Sequence, residues 1–473
     1  MKSSIPFQPQ SQSSKASSKM SSKMSSKVLL LLILSTMLFS CKELEKALSQ
    51  DCTQTKKDYQ AAISKEGELA TTIKEDGPFP MALIFSQDSV NQMFAAVADN
   101  DIDPITVPLG SLGAVFGVGG FDVDLVVDPD LPLIQFESVA DCETCISLEM
   151  SFGLAFKIEG ESVGGAGTAK CHFPLALKSE AFEYTSFIGE FNNAVCTKID
   201  IDVTGSLDVG IPGLDISVNE LIDLAEPAVE DVVNGVLQND FSETELFKLE
   251  SWKIGKGDVR LLARGPILNA EQKTLTLGIH TNLVRPLDET VALEPSLPEG
   301  ADVGMQFHPE LVQAMIQRML SEGTMSRSYD ESGNKASSGG LFEVSFTTLE
   351  QSELEPGLLT AGFTVWRTDG FLCGSSEFLV DLGVSISDGN IALEAKNLRA
   401  GNTTGAFGQL VSTIENWIGG QFIDDMINIS QLTFNYRELN LPNNKKASMS
   451  AETFRLEIGG NGFNIFLNLD QIL

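Results

Sequence analysis

Long antiparallel strands with a few helices between them, an α+β architecture in two similar halves, are what this sequence predicts, and three patterns predict it. Between residues 146 and 158, Ile146, Leu148, Met150, Phe152, Leu154, Phe156 and Ile158 alternate with Ser147, Glu149, Ser151, Gly153, Ala155 and Lys157. A period of two marks a long strand with one buried face. Glycine-rich turns then fold such runs back on themselves, and the helix-period segments that remain stand in matching positions in the two halves.

The chain opens with Lys2, Lys15, Lys19, Lys23 and Lys27, without an acidic residue before Cys41, and continues into an apolar stretch over residues 28–39. That stretch is too short for a membrane-crossing helix, which takes about 20 residues, but has the length of a signal-peptide core. It ends in Leu38-Phe39-Ser40-Cys41, which resembles the lipobox of bacterial lipoproteins, although Phe39 is bulkier than the usual residue. Residues 1–40 are therefore expected to be a lipoprotein signal peptide, with Met20 or Met24 as alternative starts and lipidated Cys41 as the mature N-terminus. Residues 41–78 are polar, rich in Lys and Glu and without a sustained apolar face, so they suit a tether. The expected location is the bacterial cell envelope, lipid-anchored on its periplasmic or outer-membrane face; Lys42 resembles the pattern that permits outer-membrane sorting.

Outside the cytoplasm the other six cysteines, Cys52, Cys142, Cys145, Cys171, Cys196 and Cys373, can form up to three disulfides in fifteen possible pairings. The Cys142-x-x-Cys145 spacing also suits a zinc knuckle or a redox pair. Cys171 and Cys196 are too far apart in sequence for a second close ligand pair, so bridges among Cys142, Cys145, Cys171 and Cys196 are expected in place of metal.

Removing the leader leaves a formal charge of about −38, which disfavours nucleic acid and charge-driven capture of anionic head groups. Disorder is excluded too, because hydrophobic residues make up 42% of the chain and are regularly spaced.

After Pro80, Val90, Met93, Phe94 and Val97 form the apolar face of a first helix over residues 88–98. A second strand pattern runs through Ile199, Ile201, Val203, Leu207 and Val209. It is followed by a longer helix with Val218, Leu221, Ile222, Ala225, Val229, Val232, Val233 and Val236 on one side and Pro227 expected to kink or restart it. In the second half, residues 309–320 carry Val312, Met315, Ile316 and Met319, and aligning Phe85 with Phe307 superposes the two short helices at an offset of 222 residues, about half the mature chain. A duplication is the simplest account. Phe378 to Ile386 alternate into a turn at Ser387-Asp388-Gly389-Asn390, residues 407–426 give another long apolar stripe, and Phe454–Ile458 and Phe463–Leu469 flank Gly459-Gly460-Asn461-Gly462 as a last hairpin. The stripes admit two readings, a closed core or an elongated apolar slot between sheet and helix.

The segment from Gly304 to Asp330, beginning Gly304-Met305-Gln306-Phe307-His308-Pro309-Glu310-Leu311-Val312, resembles the strand-helix-strand opening of the C-terminal barrel in the family of bactericidal/permeability-increasing protein, lipopolysaccharide-binding protein and cholesteryl ester transfer protein. The helix over 407–429, a polar stretch and the strand from Gly462 to Leu467 follow that family's closing order. The resemblance implies two tandem barrel-like domains, 79–250 and 251–473, each a long twisted antiparallel sheet wrapped around a long amphipathic helix with an apolar lipid pocket. The partner it implies is an apolar lipid or acyl chain. The pocket would be lined by Val90, Met93, Phe94, Val97, Leu221, Val229, Val232, Val233 and Val236 in the first domain, and by Met315, Ile316, Met319, Leu410, Ile414, Trp417, Ile418 and Met426 in the second. The cationic tip of the host-defence members has no counterpart in so acidic a chain, so endotoxin binding is not implied.

No catalytic residue, cofactor or metal is expected. Gly160-Glu161-Ser162-Val163-Gly164 has the form of a nucleophile elbow, but an elbow needs a strand before and a helix after it, and a strand-like run follows Ser162. His172, His280 and His308 have no metal-ligand spacing. Asp99-Asn100-Asp101-Ile102-Asp103 places oxygens at alternate positions without the glycine and glutamate of a calcium loop, and a solvated turn is the rival account.

Overall fold

The structure, a computed structural model, describes residues 52–472, leaving out 71–78, 112–121, 204–217, 284–292, 406–437 and several shorter stretches. Cys41, the leader and the stripe through Leu410, Ile414, Trp417, Ile418 and Met426 lie outside the described residues, as do Asp99 to Asp101.

Antiparallel sheet dominates. The larger sheet has fifteen described strands, in the spatial order Leu261–Asn269, Thr274–Thr281, Met81–Ser86, Val303–Phe307, Gly462–Ile472, Lys446–Gly459, Glu438–Asn440, Glu243–Glu250, Tyr184–Glu190, Glu161–Glu180, Cys145–Ile158, Asp122–Pro129 and Ile105–Ser111. Leu133–Gln135 lies beside Cys145–Ile158, and Val195–Val203 beside Glu161–Glu180. A second sheet runs Lys335–Ala336, Ser328–Tyr329, Phe342–Gln351, Leu359–Arg367, Gly374–Ser387 and Asn390–Gly405. The alternating run behaves as its period requires: Ile146, Leu148, Met150, Phe152, Leu154, Phe156 and Ile158 are all buried, while Ser151 and Lys157 are exposed. The two turn signals also close hairpins, with Ser387 opposite Asn390 and Gly459 opposite Gly462.

Four α-helices occur among the described residues: α1 (52–63), α2 (Gln87–Ala98), α3 (Val218–Val236) and α4 (Pro309–Glu322). The strand before α2 and the strand before α4 are neighbours in the large sheet. Leu83 faces Met305, and around that pair Met81 faces Phe307 and Phe85 faces Val303. Leu83 and Met305 differ by the same 222 residues that align the sequences, so the two units meet about a local twofold. α2 and α4 also begin 222 residues apart, and each is capped at the equivalent residue: Ser86 Oγ accepts from Ser89 N at 3.0 Å, and His308 Nδ1 accepts from Glu310 N at 3.2 Å.

Two sequence expectations change. Pro227 lies inside α3 and the helix does not restart there. Asp223, whose carbonyl loses its helical partner to the proline, is on the exposed side with Pro227, where water can replace the bond. Residues 52–70, expected to belong to the tether, are docked on the second half: Cys52 is bonded to Cys373, the Tyr59 hydroxyl donates to Glu343 at 3.1 Å, and Arg327 pairs with Glu66 at 2.5 Å. The polar surface of α1 conceals this, because its anchoring rests on a few residues whose partners are remote in sequence.

Candidate functional site

The apolar faces of α2 and α3 converge in the first half. Val90, Met93, Phe94 and Val97 of α2 are buried, and so are Ala225, Val229, Val232, Val233 and Val236 of α3. The spacing of four and seven residues puts each set on one face, and the charged residues of α3 that intervene, Glu226, Glu230 and Asp231, are exposed. Leu221 lies in α3 with its side chain outside the described set. α3 continues into a π-helical turn, Leu237–Phe241, which delivers Phe241 to the same interior.

There the ring of Phe94 lies 5.6 Å from Phe191 and 5.5 Å from Phe241, and Phe191 stacks on Phe173 at 4.2 Å, centroid to centroid. The four rings come from α2, a long strand, a 3-10 turn at Phe191–Asn193 and the π turn. Phe173, Phe191 and Phe241 were missed in the sequence because two of them sit in irregular turns, where no periodicity marks a buried position. α2 is held over this interior by Asn91, whose side chain accepts from Ile134 N at 2.6 Å and donates to Ile134 O at 2.9 Å.

In the second half Met315 and Met319 of α4 are buried and Ile316 is partly buried, but Gln313 and Gln317 are buried beside them. Gln317 Nε2 donates to Phe346 O at 2.9 Å and Gln313 Nε2 donates to Thr347 O, at the irregularity between Phe346 and Thr348. Gln313 occupies the position equivalent to Asn91. A bulge leaves carbonyls out of the ladder, and the glutamines satisfy them.

Beneath the neighbouring strands lies a buried carboxylate. Asp381 is fully buried and its Oδ1 accepts from Arg399 at 2.6 Å, Thr360 at 2.8 Å and Ser352 at 3.2 Å. Burial alone would raise its pKa, but the hydrogen bonds from Thr360 and Arg399, the Arg399 charge and the Ser352 hydrogen bond together hold it below the ordinary value. His308 is held below its ordinary value by burial, with the Glu310 charge pulling the other way. Burial, reinforced by the Glu343 charge, pushes Tyr59 well above the usual phenol range.

All six cysteines of the body are paired, Cys52–Cys373, Cys142–Cys145 and Cys171–Cys196. Two bridges fall within the first half as expected, with Cys171 directly opposite Cys196 on adjacent strands. The third joins residues 321 apart, a proximity only the tertiary fold creates.

Ser162 is exposed on the strand Glu161–Glu180, opposite Lys157 in a hairpin, which is not the strand-turn-helix geometry of an elbow. An open hollow of about 650 Å³ lies on the outer face of these strands, lined by Asp128, Asp130, Asp200 and Asp202 with Ser151 and Thr168. The four carboxylates are exposed and belong to the acidic surface. Among the described residues no helix is long and apolar enough to cross a membrane.

No family model matches the chain, and no curated protein matches it. Among solved structures it is similar to lipopolysaccharide binding protein, at 9% identity over 84% of this chain and 99% of that one, TM-score 0.37. It is similar also to P47 of Clostridium botulinum E1, at 11% identity over 83% of this chain and all of that one, TM-score 0.41. A third is P47 from Clostridium botulinum A2, at 12% identity over 84% and 99%, TM-score 0.35. At TM-scores this low the likeness by itself assigns neither a family nor an activity to this chain.

Proposed function

We propose that this chain is a lipid-anchored envelope protein, held by Cys41, that binds an apolar lipid in its interior and catalyses no reaction. The observation that carries the reading is the elongated apolar face of Cys145–Ile158: seven alternate side chains are buried along fourteen residues, a track of about 45 Å at strand spacing. α3 is shorter, about 28 Å for its nineteen residues. A track of that length suits an acyl chain lying parallel to the strand. Each methylene removed from water adds about 0.8 kcal/mol, so a long chain would bind tightly without a charged contact. The acidic surface is consistent with selection by apolar burial and not by head-group charge.

Native mass spectrometry of the mature chain from an oxidising compartment, followed by solvent extraction, tests the reading. One or two lipids per folded chain are expected. A bare mass from a folded sample would overturn it in favour of filled interiors and an interaction role for the same architecture.

A further inference from the structure

We infer that the Cys142–Cys145 disulfide is a thiol–disulfide exchange site whose reaction partner is a dithiol, an inference that stands apart from the lipid reading. The three bridges differ in what they hold. Cys52–Cys373 joins residues 321 apart, and Cys171–Cys196 joins directly opposed residues of two strands. Cys142 and Cys145 are separated by 3 positions. The stabilisation a disulfide gives grows with the loop it closes, and a ring this short takes little freedom from the unfolded chain. Opening it parts no two strands or helices, because Cys142 lies in the connection after Leu133–Gln135, paired with Val139 in an isolated bridge. The folded protein can therefore survive the loss of this bond.

The two sulfurs stand in unequal surroundings. Cys142 is half-buried, whereas Cys145 opens the strand Cys145–Ile158 and is 6% exposed. An incoming thiolate meets the Cys142 sulfur first, which makes the Cys145 sulfur the one that leaves. Strand register puts a protonatable group beside it. Cys145, Ser147 and Glu149 share the face turned away from the core residues Ile146 and Leu148, and across the ladder they stand opposite Pro174, His172 and Lys170. His172 is thus a diagonal neighbour of Cys145, at a spacing of about 7–8 Å that a ring side chain can bridge. Its imidazole can hand a proton to the departing sulfur. The ion pair between Lys170 and Glu137 draws the start of the connection over the same face, which accounts for a buried Cys145 where period two points outward.

The exchange balances in two steps. A thiolate of the partner attacks Cys142 Sγ, the Cys142–Cys145 bond breaks, and its electron pair leaves on Cys145 Sγ, which takes up a proton. The partner is then held to Cys142 as a mixed disulfide. Its second thiolate attacks its own sulfur in that bond, closes a disulfide within the partner and releases Cys142 as a thiolate that is protonated in turn. The partner loses two electrons and two protons, and the two cysteines gain them. One dithiol is oxidised per chain, so the transfer is stoichiometric and needs no turnover.

The test exposes the oxidised full chain to dithiothreitol as the probe dithiol, quenches samples with N-ethylmaleimide and scores each cysteine by peptide mass spectrometry, with circular dichroism recorded in parallel. Cys142 and Cys145 should be alkylated roughly tenfold faster than Cys52, Cys171, Cys196 and Cys373, with the dichroism unchanged. In Cys145→Ser, incubation with oxidised glutathione should place one glutathione on Cys142. His172→Gln should slow the opening of Cys142–Cys145 several-fold and leave the other two bridges as they were; equal slowing of all three would overturn the part given to His172. Equal reduction rates for the three bridges in the parent, or dichroism lost in step with the opening of Cys142–Cys145, would overturn the proposal and leave the bond a structural staple.

Discussion

The strand-helix units Met81–Ala98 and Val303–Glu322 begin alike, with paired strands, capped helices and a side-chain clamp at equivalent positions, and then diverge in what they bury. The first covers an interior of Phe94, Phe173, Phe191 and Phe241, together with the valines of α3. The second covers Gln313 and Gln317, and the strands beyond it enclose Asp381 with Ser352, Thr360 and Arg399. Buried polar groups must find fixed partners, which ties such a core to one geometry, whereas an apolar interior places no directional demand on what fills it. Under the proposed function the first half is therefore the half to test for a lipid, while the second half is the part to which the N-terminal segment is bound.

The largest expected effect is in the aromatic interior. Phe191 is fully buried among three other rings, and Phe191→Ala should cost about 3–5 kcal/mol in urea unfolding. If a lipid occupies this interior, it should raise the denaturation midpoint of the parent and lose most of that effect in the variant. An equal lipid shift in both proteins would move the binding site out of the first half. Next comes the buried carboxylate. Asp381→Ala removes the acceptor shared by three donors, and because the Arg399 side chain is 33% exposed and can rehydrate, the cost falls at about 2–3 kcal/mol. With its folded pKa depressed, Asp381 contributes stability that is present above the ordinary carboxylate value near 4 and lost as the pH falls through the lower folded value. The variant should lack that acid-induced loss, and an unchanged profile below pH ~4 would remove Asp381 from the account.

Much of this contrast was legible in the sequence where a period governs burial. The alternation from Ile146 to Ile158, the apolar faces of α2 and α3 and the 222-residue offset all place side chains as observed. The polar bracing was not legible. Gln313 and Gln317 read as ordinary helix-surface residues, since nothing in a helix pattern announces that the facing strand bulges and leaves carbonyls to satisfy. Asp381 sits within the alternating Phe378–Ile386 run at a position that period two assigns to solvent, and only the pairing of three strands, with Ser352 beside them, encloses it. The Cys52–Cys373 bond and the docking of α1 join residues about 300 apart, and local periodicity carries no information at that distance.

A smaller effect tests the equivalence of the clamps. Asn91 satisfies both the N–H and the carbonyl of Ile134, while Gln313 satisfies one carbonyl. Asn91→Ala should therefore destabilise by about 2 kcal/mol and Gln313→Ala by about 1 kcal/mol. Equal costs would remove the distinction between the two clamps, and costs near zero at both positions would mean that the helices are held by their apolar faces alone.

The finest distinction between the two units lies in their caps. Ser86 caps α2 with a hydroxyl that does not titrate in the working range, whereas His308 caps α4 through Nδ1, an acceptor that protonation removes. Burial lowers the folded pKa of His308, so its contribution is present above about pH 6.5 and is lost as the pH falls from there through the folded value. His308→Ser, which copies the first unit, should match the parent within about 0.5 kcal/mol at pH 8 and exceed it by up to about 1 kcal/mol at pH 5. Urea midpoints across that range decide it. Crossing of the two stability curves as the pH falls would establish that the second unit carries an acid-sensitive joint that the first lacks, and parallel curves would show that α4 is held in place without its cap.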